Sequence, residues 1–115
     1  MARKQDIKTL SVEVTATAEN IGDRIPEQMS RYITFLKYAN RDDGANEITV
    51  QARVGTTDKQ LDMQPLGGKQ TLAFPDKPDI NNPIMKVVGS GASTMIRTFC
   101  SAVSGIVLTM TYYDE

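Results

Sequence analysis

Chemistry in a short chain usually announces itself through histidine, clustered cysteine or a glycine-rich phosphate loop. This sequence holds no histidine, so the commonest general base, metal ligand and triad member is missing. A Ser-His-Asp or Cys-His nucleophile is therefore excluded within one chain. The single cysteine, Cys100, closes the apolar, threonine-rich stretch Thr94-Met95-Ile96-Arg97-Thr98-Phe99-Cys100, where a small buried thiol is the expected outcome. No histidine stands near to lower its pKa, and one cysteine cannot build a zinc site.

Two loops look like ligand sites and fail on spacing. Asn40, Asp42, Asp43, Asn46 and Glu47 gather oxygen donors, but counting from Asn40 the sixth residue is Ala45, not the glycine that a calcium loop of the EF-hand type needs. Turn preferences of Asn, Asp and Gly account for the segment better. Gly67-Gly68-Lys69 resembles the end of a phosphate loop, but Met63 stands where the earlier glycine belongs and Gln70 where Ser or Thr belongs. Carboxylates are plentiful but fall at turns and on polar strand faces, where solvation is the default. The expectation is a protein without catalytic residues, cofactor or metal.

The elements that carry these residues read as strands. Ile48, Val50, Ala52 and Val54 alternate with Glu47, Thr49, Gln51 and Arg53, the period of a half-buried strand. Tyr32-Ile33-Thr34-Phe35-Leu36-Lys37-Tyr38 is β-branched and aromatic, and the turn residues between the two suggest an antiparallel hairpin, Tyr32–Val54. Its first arm looks apolar on both faces, with Ile33 and Phe35 on one and Tyr32, Leu36 and Tyr38 on the other. Such an arm is either central in its sheet or turned toward a partner.

Elsewhere Leu10, Val12, Val14 and Ala16 share one face of a strand. Glu19–Pro26 reads as a loop, followed by an optional helical turn over Pro26–Ser30. Short strands are expected at 60–64, 69–74, 84–88, 94–100 and 106–113, with the three-proline segment Pro75–Pro83 as a surface loop. Seven or eight short strands at roughly ten-residue spacing imply an all-β fold, a single-domain antiparallel β-sandwich of jelly-roll or Ig-like type, with a small β-barrel as the alternative. Residues 1–115 form one domain, with 1–8 as a basic amino-terminal arm.

At 115 residues, 40% of them apolar, the chain is large enough for its own core and too apolar for disorder. No apolar run approaches the roughly 20 residues of a membrane helix. A formal net charge of −1 with 13 scattered basic residues argues against sequence-specific nucleic-acid binding. A lone cysteine and a start without an apolar leader lead us to expect synthesis in the cytoplasm, without a signal peptide.

Together these features favour a non-enzymatic structural protein that assembles with copies of itself and onto a larger protein shell. Among such roles the reading prefers a virion component, a capsid decoration or minor structural protein. The alternative is a carbohydrate- or peptide-binding sandwich module built on the proline loop, Phe74 and Tyr113. Three contact surfaces are expected. The first is the arm Arg3, Lys4 and Ile7, pairing with Asp114 and Glu115 of a neighbour. The second is the hairpin face Tyr32, Leu36 and Tyr38, joined by Tyr113, since tyrosine suits interfaces. The third is the rigid loop of Phe74, Pro75, Pro78, Ile80 and Pro83.

Overall fold

The computed structural model describes residues 6–115. Nine strands run through them: β1 (Lys8–Val14), β2 (Glu19–Ile25), β3 (Ser30–Asn40), β4 (Asn46–Val54), β5 (Thr57–Leu66), β6 (Thr71–Phe74), β7 (Met85–Val88), β8 (Thr94–Cys100) and β9 (Ile106–Asp114). They form two packed antiparallel sheets. One has the order β1-β9-β3-β6, with β7 also paired to β3, and the other the order β2-β8-β4-β5. The fold is all-β and a sandwich, and the sheets do not close into a barrel. With β6 and β7 sharing one edge of β3, this order is that of a jelly roll, which separates it from the Ig-like arrangement.

The expected hairpin is corrected. β3 and β4 lie in different sheets, β3 pairing with β6, β7 and β9 and β4 with β5 and β8. The connecting residues step across the roughly 10 Å between sheets instead of turning back within one. Buried Asn40 organises that step: its Nδ2 donates to the carbonyls of Gly44 at 3.0 Å and Gly67 at 2.9 Å. The true hairpin lies one strand later, β4 to β5, turning at Gly55 with φ +64°.

Two further expectations are corrected. Glu19–Ile25 is a strand, not a loop. It is anchored by Ile21 and Ile25, both fully buried, and is broken in register between them, where Gly22 takes φ +72°. The Pro26–Ser30 segment is a tight turn closed by the Met29 amide on the Pro26 carbonyl, not a helical turn.

The faces of β3 are set by a bulge. Its register with β9 shifts between Ile33 and Phe35, leaving Thr34 as the extra residue. An extra residue reverses which side chains point inward. Arg31 and Ile33 point into the sandwich before the bulge, and Leu36, Tyr38 and Asn40 after it, all buried. The arm is central in its sheet, paired with β9 on one side and β6 and β7 on the other, and the bulge exchanges its faces: Leu36 and Tyr38 go inward, while Tyr32 and Phe35 lie outward and half-buried. Ile48, Val50, Ile96, Leu108 and Met110 complete the centre of the core.

Candidate functional site

Three regions of the surface and rim carry the residues expected to matter. The first is the end of the sandwich where β2, β3 and β9 meet. Arg31 is 1% exposed, and each of its three guanidinium nitrogens donates a hydrogen bond. Nε and Nη2 donate to the Asp114 carboxylate at 2.8 and 2.9 Å, and Nη1 donates to the Asp23 carbonyl at 2.8 Å. The Tyr112 ring lies 4.3 Å beneath it. A bidentate pair stacked on an aromatic ring is a geometry that suits arginine and not lysine. Gly22 leaves the room: a Cβ there would sit 3.2 Å from the Tyr112 hydroxyl and 3.5 Å from Arg31 Nη1.

A shallow cleft of about 390 Å3 opens beside this pair, lined by Asp6, Ile7, Lys8, Met29, Tyr112 and Asp114. Its charges are mixed, and Asp114 is already committed to Arg31. Asp114 is thus tied into its own subunit through Arg31. Glu115 exchanges backbone hydrogen bonds of 2.9 Å with Ser30 in both directions. Of the expected arm, Ile7 is exposed and lines the cleft, while Arg3 and Lys4 lie outside the described residues.

The second region is the outer face of the β1-β9-β3-β6 sheet. Tyr32 and Tyr113 stack there with ring centroids 5.1 Å apart, and Lys86 sits 5.5 Å over Tyr32. The proline segment folds back onto this pair, so the Tyr113 hydroxyl donates to the Ile80 carbonyl at 3.3 Å and Tyr113 is buried. Asp79 stiffens the segment by accepting from the Asn81 amide and the Asn82 side chain. Pro75, Ile80 and Pro83 are consequently half-buried, and Pro78 is exposed. Phe74 points inward and meets Tyr38 edge-on at 5.6 Å. Leu36 and Tyr38 are fully covered within one subunit. This corrects their expected place on an outer surface: the Thr34 bulge turns both into the core.

Tyr38 also spans the two sheets, its hydroxyl donating to Asp62 Oδ2 at 2.7 Å. Burial, and then the hydrogen bond and charge of Asp62, push its pKa far above the ordinary tyrosine value. The group stays neutral in the folded protein at pH values where it ionises in the unfolded chain, so its contribution is whole below about pH 10 and declines as pH rises beyond that. Stability should fall by up to about 1.4 kcal/mol per pH unit above that point from this group. Urea titrations between pH 9 and 12 should show a shallower loss in Tyr38→Phe than in the natural sequence. Equal slopes would show that Tyr38 ionises freely in the fold.

No protein-family profile matches this chain, and no curated protein matches it. Among solved structures, a chain from work on Bacillus endospore appendages, described as a novel family of disulfide-linked pili, aligns with it at 16% identity, covering 94% of this chain and 84% of that one, with a TM-score of 0.48.

The third region, the outer face of the β2-β8-β4-β5 sheet, has no counterpart among the sequence-based expectations. Strand β8 mixes polar and apolar residues on both of its faces. Thr94 and Thr98 point inward and are buried, satisfied by the Ala92 carbonyl at 3.2 Å and the Thr49 carbonyl at 2.9 Å. Met95, Arg97 and Phe99 point outward and are half-buried. Across the sheet Phe99 registers with Thr49, and Thr49 with Met63. Met63 is 45% exposed. The result is a row across three strands in which Phe99 and Met63 flank a buried Thr49. Counting alternation in 94–100 could have found it, since Met95 and Phe99 share a face that excludes Ile96 and Cys100.

Cys100 itself faces inward, with Sγ near the carbonyls of Ala102 and Val14, and burial raises its pKa. Among the described residues no group of three or more His, Cys, Asp or Glu side chains could hold a metal ion.

Proposed function

We propose that this protein is a non-enzymatic structural component that works by associating with copies of itself. What supports the reading is strand β8, which hides two threonines and turns Met95 and Phe99 outward, Phe99 in the same cross-strand row as exposed Met63. A solvated sheet face favours the opposite arrangement. Methionine and aromatic side chains are enriched in protein interfaces, and apolar side chains grouped on one face mark an interaction site more often than single exposed ones do.

The finer proposal is a virion component, made in the cytoplasm and joined to a larger protein shell as a capsid decoration or minor structural protein. Its support is an analogy of fold, since jelly rolls recur in viral capsid proteins, and function is carried by sites and not by folds. The same fold recurs in lectins, but the aromatic platform that a carbohydrate reading would use is spent: Tyr113 lies beneath the proline segment and Phe74 against Tyr38.

The test is native mass. Sedimentation equilibrium or native mass spectrometry over a wide concentration range should give masses at multiples of the 12.7 kDa subunit. A strict monomer at high concentration would end the assembly reading. Electron microscopy of the assembled form then distinguishes a shell-bound decoration from a free oligomer.

A further inference from the structure

We propose that the outer face of the β2-β8-β4-β5 sheet is a two-fold contact with a second copy of this chain, centred on Phe99 and closed on either side by Arg97 of one copy against Glu47 of the other. This rests on the self-association proposed above and names its surface.

Charge carries the choice of partner. Among the described residues the ion pairs are Arg31–Asp114, Arg53–Asp58 and Lys69–Asp43. Arg97 and Glu47 belong to none of them. Arg97 is half-buried, its Nη2 donates to the Ala18 carbonyl at 2.9 Å, and its Nε is buried without any acceptor. That Nε lies inside the subunit, but the guanidinium as a whole carries a charge that no carboxylate among the described residues pairs with, and a carboxylate is the partner that suits it best.

The register places these two charges for exchange. Phe99 lies opposite Thr49. Arg97 is two residues before Phe99 on β8 and pairs with Gln51. Glu47 is two residues before Thr49 on the antiparallel β4, where its carbonyl accepts from the Ser101 amide. The two residues that bear opposite charge are therefore anchored on opposite sides of the Phe99–Thr49 row, with the Arg97 head reaching along β2 to the Ala18 carbonyl. A two-fold axis lying in the plane of the face and passing beside Phe99 swaps them, so each Arg97 meets the other copy's Glu47. A surface complementary to itself in this way is what an isologous dimer requires. The same operation brings the two Phe99 side chains together at the centre with Met63 nearby, an apolar middle ringed by charge. The domain is a slab of 43 × 34 × 17 Å, and so broad a face can supply the roughly 800 Å2 per partner of a standard interface.

The experiment is a charge-swap series read by sedimentation equilibrium at low salt on the complete chain. Arg97→Glu and Glu47→Arg should each weaken dimerisation by at least about tenfold, and the double variant should recover most of the loss, because like charges facing each other cost more than a missing pair. Met63→Glu and Phe99→Ser, both outward-facing, should dissociate the dimer while thermal unfolding still shows a cooperative folded domain. Should association persist unchanged through all four single variants, this face is not the contact, while self-association itself survives. Should the natural sequence remain monomeric, both ideas fall. Single variants that weaken the dimer with no recovery in the double variant would overturn the Arg97–Glu47 pairing.

Discussion

Arg31→Ala should cost the fold about 3–5 kcal/mol, the penalty for breaking a buried ion pair by removing one partner. The loss has three parts. The Asp114 carboxylate loses both donors, the Asp23 carbonyl loses its hydrogen bond, and Tyr112 loses the cation covering its ring. Asp114 is 19% exposed, so water reaches it in part and the lower end of that range applies. For a domain near 100 residues, 3 kcal/mol corresponds to a drop in Tm of roughly 12–24 °C. In urea the midpoint should move with little change in slope, since the surface exposed on unfolding stays nearly constant. The double variant Arg31→Ala with Asp114→Ala should be less destabilised than the sum of the singles, because the second change removes the stranded carboxylate. A loss under about 1 kcal/mol in the single variant would mean that the pair contributes no more than a surface salt bridge.

That pair also shows where a sequence stops being readable. Nothing local joins Arg31 to Asp114. They meet because β3 and β9 pair antiparallel over nearly their whole lengths, and pairing between distant strands is not written in either strand alone. By contrast β4 was plain, because one residue in two is apolar and the pattern holds through its length. So were β1 and β9, whose inward residues Leu10, Val12 and Val14 and Ile106, Leu108 and Met110 alternate without a break. The class of fold and most of its strands follow from such periods. Strand β2 did not, since Gly22 and Asp23 interrupt it with the residue types of a turn and only Ile21 and Ile25 hold it to the core.

The candidate surface was hardly legible. Sequence placed it on the amino arm with Asp114, which its own chain has engaged, on β3, where Leu36 and Tyr38 are core, and on the proline loop, where Phe74 turns inward against Tyr38. A period-2 count assumes an unbroken ladder, and a single bulge residue at Thr34 reverses everything beyond it. The surface that the structure does offer, on β8, was not read at all, because a strand that mixes threonine with Met, Ile and Phe on both faces has no clear period of polarity. Thr94 and Thr98 have carbonyl partners inside, which removes most of the cost of burying them.

The bulge makes one more outcome sharp. Leu36→Ala should destabilise the isolated subunit by about 2–5 kcal/mol, as expected where a buried leucine leaves a cavity in a packed core. Leu36 has no exposed surface, pairs with Phe74 on β6 and with Met110 on β9, and belongs to the central cluster. Few neighbours can collapse into the space, because strands on both sides hold their positions through backbone ladders. Phe35, its larger neighbour, points outward and is only half-buried, so Phe35→Ala should cost clearly less despite removing more atoms. Chemical denaturation of both variants beside sedimentation separates the two meanings of an apolar strand residue. If Leu36 is core, its truncation lowers the unfolding midpoint and leaves the association constant of the folded protein unchanged. A variant that kept full stability and lost self-association would put Leu36 on a subunit interface, and would require the register of β3 against β9 to be shifted by one residue beyond Thr34.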